Sequence, residues 1–221
     1  MTEQFTTSPR TVSDVMTHTV VAVGREAGFK EIVELMEQWR VSALPVLAGE
    51  GRVIGVVSEA DMLPKEEYRD SDLDRASPVR RLADLAKAGA LTAGELMSTP
   101  AVTVHPDATL AQAARIMALR KVKRLPVTDQ LGMLQGVVSR SDLLKVFLRS
   151  DKEISAEVAR TVIAYLFPRQ AVAATVDEGV VTFHGAVRDR NLVPVAARLA
   201  QAVEGVVDVR MNLDPPAAPP R

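Results

Sequence analysis

The stretch Gly136-Val137-Val138-Ser139-Arg140-Ser141-Asp142 repeats the chemistry of Gly55-Val56-Val57-Ser58-Glu59-Ala60-Asp61 at a constant offset of 81 positions. The same offset pairs Met16 with Met97, Met36 with Met117 and Leu44-Pro45-Val46 with Leu125-Pro126-Val127, and no gap is needed from Val12 to Leu63. A duplication of this length constrains the fold more than any single motif, because whatever unit the first copy forms the second must form again. In each copy a β-branched strand runs into Ser-x-x-Asp and then an apolar pair, Met62-Leu63 or Leu143-Leu144. That is a strand feeding a helix N-terminus.

Such a junction has two uses. The first-turn N–H groups of a helix lack intrahelical partners and carry partial positive charge, so they can hold a phosphate while a nearby carboxylate accepts hydrogen bonds from sugar hydroxyls. The same Ser-x-x-Asp spacing is also a capping box, in which the side chains satisfy the helix itself and bind nothing. Two copies in matched contexts favour the ligand reading over the cap.

Reading outward from the junctions gives a β-α-β-β-α unit twice. Thr11-Val12-Ser13-Asp14 and Thr92-Ala93-Gly94-Glu95 are capping boxes opening short turns. Valine-rich strands follow at Thr19 to Val23 and Ala101 to Val104. Helices come next, with Phe29, Ile32, Val33 and Met36 on one face in the first copy and Leu110, Ala113, Ala114 and Met117 in the second, where Thr109 and Gln112 form the cap. Leu-Pro-Val and the strand before Ser-x-x-Asp then make a hairpin.

Between the copies, Pro64 is expected to stop a helix, Lys65 to Asp74 to be a charged surface segment, and Ser77-Pro78 to start a helix carrying Leu82 and Leu85 and ending near Gly89. The domain limits that result are a disordered start at 1–10, repeats at 11–64 and 92–149, a one-helix spacer at 65–91, a further domain at 150–214 and a Pro-rich tail at 215–221. In that further domain Ser150 and Glu153 cap a helix with the apolar stripe Ile154, Val158, Val162 and Leu166, ended by Phe167-Pro168. Strands at Val172 to Val176 and Val180 to Val187 flank the turn Asp177-Glu178-Gly179, with His184 outward. A helix from about Asn191 to Val203 and a strand from Val206 to Leu213 complete α-β-β-α-β.

The two copies resemble the CBS (cystathionine-β-synthase) domain through Leu-Pro-Val, Gly-x-x-Ser-x-x-Asp and their pairing. The resemblance implies an α+β (α/β) fold in which the repeats pack about a pseudo-twofold axis, with clefts that bind adenine nucleotides (AMP, ADP or ATP) or S-adenosylmethionine as regulatory ligands. Carried over by position, Asp61 and Asp142 would hold ribose hydroxyls, Ser58 and Ser139 would lie near phosphate, and the backbone around Val21 and Val102 would line the adenine. The copies differ before Leu-Pro-Val, where the second has Arg120-Lys121-Val122-Lys123-Arg124 and the first Trp39-Arg40-Val41-Ser42-Ala43. Arg124 is therefore a candidate phosphate contact, against the alternative of a solvated basic helix end. The last domain resembles the BON domain through Asp177 to Gly185 and Val203 to Val209, which implies attachment to a protein or phospholipid partner.

Composition narrows the function. The absence of Cys excludes disulfides, thiolate metal sites and cysteine nucleophiles, and a net charge of -1 gives no footprint for nucleic acid. His18, His105 and His184 are scattered, so no catalytic constellation or metal site is expected and the chain does not read as an enzyme. No apolar leader is visible in the first ten residues, which makes a cytoplasmic location the expectation. The expected protein is a ligand sensor, forming a homodimer through the repeat pair and joined to an interaction domain. The alternatives are a ligand-free dimerisation protein and an envelope-associated lipid binder.

Overall fold

The computed structural model describes residues 10–67, 85–168 and 171–214. The expectations for the first nine residues, most of Lys65 to Asp74, the helix start at Ser77-Pro78 with Leu82, and the Pro-rich tail lie outside the described residues. The chain divides into two compact units, one running to Arg140 and one beginning at Ser141.

In the first unit the duplicated sequence makes duplicated structure. β1 (Val23–Gly24) precedes α1 (Phe29–Trp39) and the hairpin of β2 (Ala43–Ala48) and β3 (Arg52–Ser58). The short helices α2 (Glu59–Met62) and α3 (Pro64–Glu67) follow. Past the spacer, α4 (Ala93–Leu96) and α5 (Leu110–Arg120) lead to the hairpin of β4 (Arg124–Thr128) and β5 (Leu134–Ser139).

Details repeat at the same offset. Both long helices stop at a left-handed residue, Arg40 (φ 51°) and Lys121 (φ 56°), and both hairpins shift register after the valine of Leu-Pro-Val, at Val46/Leu47 and Val127/Thr128. Thr109 accepts from the Gln112 N–H at 3.2 Å, as the capping pattern requires.

The repeats exchange pairings. Val56 bridges Ser98 while Val137 bridges Thr17, and Gly28 bridges Thr92 while Thr11 bridges Thr109, so every crossing has its mate 81 positions away. Gly55 and Gly136 make this approach possible. A methyl at Gly136 would sit 2.7 Å from the Met16 sulfur and 2.9 Å from the Thr17 carbonyl oxygen, and a methyl at Gly55 would collide with Met97.

Three expectations for the paired repeats are corrected. The strands expected at Thr19 to Val23 and Ala101 to Val104 shrink to the two residues of β1 and to a single parallel bridge at Val104. The Val104 N–H donates to the Pro126 oxygen and the Thr128 N–H to the Val104 oxygen. The next rung would need an N–H on Pro126, or on Pro45 in the first copy, and proline has none. Val33, expected on the buried face of α1, is 44% exposed, while Ile32 and Met36 carry the burial. Pro64 opens α3 at its first helical position as well as following the end of α2, a position where its missing N–H costs nothing.

The spacer returns as residues 85–89, which are helical, with Leu85 45% exposed. It is fastened to the first repeat where Lys65 Nζ donates to the Ala90 oxygen at 2.9 Å and lies 4.9 Å from the Phe29 ring centre. Glu95 accepts from the Leu91 and Thr92 N–H groups, and these two backbone bonds hold its carboxyl below the ordinary carboxylate range. The stability this adds is present above the unfolded-chain pKa and is lost as pH falls through the lowered one.

The second unit begins within the helix that closes the second repeat, α6 (Arg140–Leu144), continued as a 3₁₀ turn Lys145–Leu148. α7 (Asp151–Val158), a π turn Ala159–Ile163 and α8 (Ala164–Leu166) follow. One uninterrupted helix was the expectation there. Apolar residues spaced strictly by four drift around a 3.6-residue helix, and the wider turn keeps Ile154, Val158 and Val162 together in the core. β6 (Val172–Asp177), β7 (Val180–Ala186), α9 (Leu192–Gln201) and β8 (Asp208–Asp214) complete the unit. β7 is central, antiparallel to β6 and parallel to β8.

Phe183 and Val181 point into this core and are fully buried, while His184 is exposed and hydrogen-bonds Thr175 at 3.0 Å. The hairpin turn has positive φ at Glu178 and Gly179, which suits the right-handed strand twist. Both of its N–H groups donate to the Asp151 carboxylate, at 2.9 and 2.8 Å.

Candidate functional site

The strand-to-helix junction of the first repeat brings Ser58 and Asp61 to one wall of a cleft of about 400 Å³. Asp61 sits on the first turn of α2 and is 8% exposed. Its Oδ2 accepts from the Ser58 N–H at 2.8 Å and from the Ser58 hydroxyl at 2.6 Å, which is the reach-back half of a capping box. Its Oδ1 accepts from the Ser98 hydroxyl at 3.2 Å and from Lys87 Nζ. The carboxylate is thus at once a cap and a charged group on the cleft wall.

The opposite wall comes from the second repeat. Pro100, Ala101 and Val102 line it, together with the basic run Lys121 to Arg124. This is the segment whose ladder Pro126 interrupts, so its backbone lies against the cleft without continuing the sheet. Arg124 crosses to the first repeat, its Nη2 donating to the Ser42 hydroxyl at 2.8 Å and its Nη1 to the Ala43 oxygen at 3.5 Å. A second groove of about 710 Å³ shares Ser42, Glu59, Leu63 and Arg124 and lies against α1. Arg124 therefore stands between two openings and supplies a planar guanidinium suited to phosphate.

Of the residues singled out from the sequence, Ser58, Asp61, Val102 and Arg124 meet around this one cleft. Val21 is half-buried against the first repeat's core. Ser139 ends β5 opposite Arg124, and Asp142, 8% exposed, accepts from Lys145 Nζ at 2.8 Å.

Sequence reasoning missed Ser42, Ser98 and Lys87. The first two stand at the offset positions of Lys123 and Thr17, where the copies differ, so the repeat pattern did not draw attention to them. Lys87 belongs to the spacer, which has no copy. Among the described residues no cluster of metal-ligating side chains occurs, and no helix is long and apolar enough to cross a membrane.

Residues 12–66 and 93–149 match the family model of the CBS domain, and residues 150–214 that of the BON domain. An uncharacterized protein of Methanocaldococcus jannaschii, MJ1426, is 26% identical over 153 residues, which are 62% of this chain and 90% of that one. The inosine-5'-monophosphate dehydrogenase of Korarchaeum cryptofilum is 25% identical over 198 residues, covering 88% of this chain and only 37% of the dehydrogenase. The crystal structure of CBSX2 in complex with AMP superposes with a TM-score of 0.55 at 28% identity, covering 63% of this chain and 97% of that chain. CBSX2 is a chloroplastic CBS domain-containing protein of Arabidopsis thaliana.

Proposed function

This chain belongs to the CBS domain family, two copies of the domain being followed by a BON domain, and from that premise we propose that it is a regulatory protein sensing an adenine nucleotide of the AMP type. The observation that carries the proposal is the convergence on one cleft of a helix-start carboxylate, an interrupted backbone segment and a basic run. In this reading Asp61 takes the ribose hydroxyls, the backbone at Val102 lies along the base, and Arg124 with the α2 N-terminal amides near Ser58 faces phosphate. Ser139, Asp142 and Val21 stand 81 positions from Ser58, Asp61 and Val102 in the sequence. The AMP complex of CBSX2 supports the ligand class.

The test is calorimetry and thermal melting with AMP, ADP, ATP and S-adenosylmethionine. A ligand at 100 times its dissociation constant adds about 2.7 kcal/mol, several degrees of melting temperature. Arg124→Met should weaken AMP about ten- to a hundredfold and leave adenosine nearly unaffected. No response to any of the four at millimolar concentration rejects the proposal.

The BON domain, in the same reading, attaches the sensor to a partner. Co-sedimentation with anionic phospholipid vesicles assigns that partner to lipid, and full recovery in the supernatant assigns it to protein.

A further inference from the structure

The Asp61 carboxylate is already fully subscribed. An ionised carboxylate offers about four acceptor positions, and four donors occupy them: the Ser58 N–H and hydroxyl on Oδ2, and the Ser98 hydroxyl and Lys87 ammonium on Oδ1. A ribose presents a vicinal diol, which needs two of these positions. The Ser98 bond, at 3.2 Å, is long for a hydroxyl donor and can yield one. Ser58 cannot readily yield the other, because its two bonds close the strand-to-helix junction.

We infer that Lys87 is a built-in competitor for ribose at Asp61, and that a ribose-bearing ligand binds this cleft only as the Lys87 ammonium leaves Oδ1. The inference rests on the reading of Asp61 as the ribose contact.

The surroundings suit a side chain that departs while its backbone stays. Three residues on, Ala90 is 3% exposed, its N–H donates to the Lys87 oxygen and its own oxygen accepts from Lys65. The ammonium, by contrast, rides on a flexible four-carbon stem, and the Lys87 side chain is 25% exposed. The second repeat is built differently. Asp142 is held by Lys145, three residues on in the 3₁₀ turn that continues α6 and with a side chain 59% exposed, whereas the matching position in the first repeat is Pro64. A solvated partner of that kind holds its carboxylate more weakly than an enclosed one.

The experiment uses the full chain in an Asp142→Asn background, so that the first junction alone is read, with neutral adenosine and 2′,3′-dideoxyadenosine as probes. Removing the competitor with Lys87→Met should raise adenosine affinity about tenfold or more and leave the dideoxy compound unchanged. Lys87→Arg, which keeps the charge, should stay within about threefold of the parent. Circular dichroism checks folding, and Lys87→Gln serves if the Met variant does not fold.

Adenosine affinity that is unchanged or lower in Lys87→Met, with adenosine still preferred over its dideoxy analogue, overturns the Lys87 inference and leaves the ribose reading standing. Equal binding of the two nucleosides by every protein, or binding of neither, overturns both.

Discussion

Gly185→Ala should unfold the C-terminal domain while the paired repeats remain folded. Gly185 has φ 113°, outside the region any L side chain occupies comfortably, and it stands opposite Val172 across the β6–β7 ladder. An added methyl would land on the Ala171 carbonyl group, with the carbonyl carbon at 2.9 Å. Backbone strain and overpacking each cost about 1–3 kcal/mol, so the substitution should cost about 2–6 kcal/mol. That is comparable to the roughly 3–10 kcal/mol that holds a domain of about 65 residues together. The single Trp39 lies in the first repeat and is 51% exposed, so its fluorescence in urea should trace an unshifted transition for the repeats. Hydrogen exchange across 172–213 should lose its slow amides; protection equal to wild type would contradict the account.

Arg149→Met should have the next largest effect. Arg149 is the last residue of the second CBS match, yet its guanidinium donates to the Glu157 carboxylate at 2.7 Å and to the Glu204 oxygen at 2.8 Å, both in the BON part of the same compact unit. The Arg149 and Glu157 side chains are 16% and 15% exposed. Removing the arginine strands an enclosed carboxylate, at a cost of about 3 kcal/mol. The double variant Arg149→Met with Glu157→Leu should recover most of that, since the stranded charge is what costs. A double variant no more stable than the single one would show that the lost bond to the Glu204 oxygen, rather than the stranded charge, carries the cost.

The repeat offset made much of this structure legible in advance. Once Gly55 and Gly136 align, the hairpins, the caps and the two Ser-x-x-Asp junctions follow from local chemistry, because capping and register are set within a few residues. Two kinds of feature did not follow. The first strands came out too long because β-branched residues promise strand locally, while the N–H missing at Pro45 or Pro126 acts only through the partner strand. Lys87 was invisible for a related reason, since its link to Asp61 spans 26 positions and only the folded chain brings them together. Val33 met the helical spacing of a buried face but lies on the side of α1 that lines the larger groove.

The exchanged bridges of the two repeats have a consequence for the origin of asymmetry in the chain. Because the backbone bridges between the repeats map onto one another under the 81-position offset, the pair is organised as a homodimer closed into one polypeptide, and two separate copies of one repeat would satisfy the same backbone pairings. The covalent tether then mainly raises the effective concentration of one half for the other. A tether, however, occurs once, and whatever it carries can reach only one half. Duplication supplied two equivalent carboxylates, and the segment that joined them delivered a lysine to the first alone, so the act of linkage itself supplies a way for twin sites to diverge.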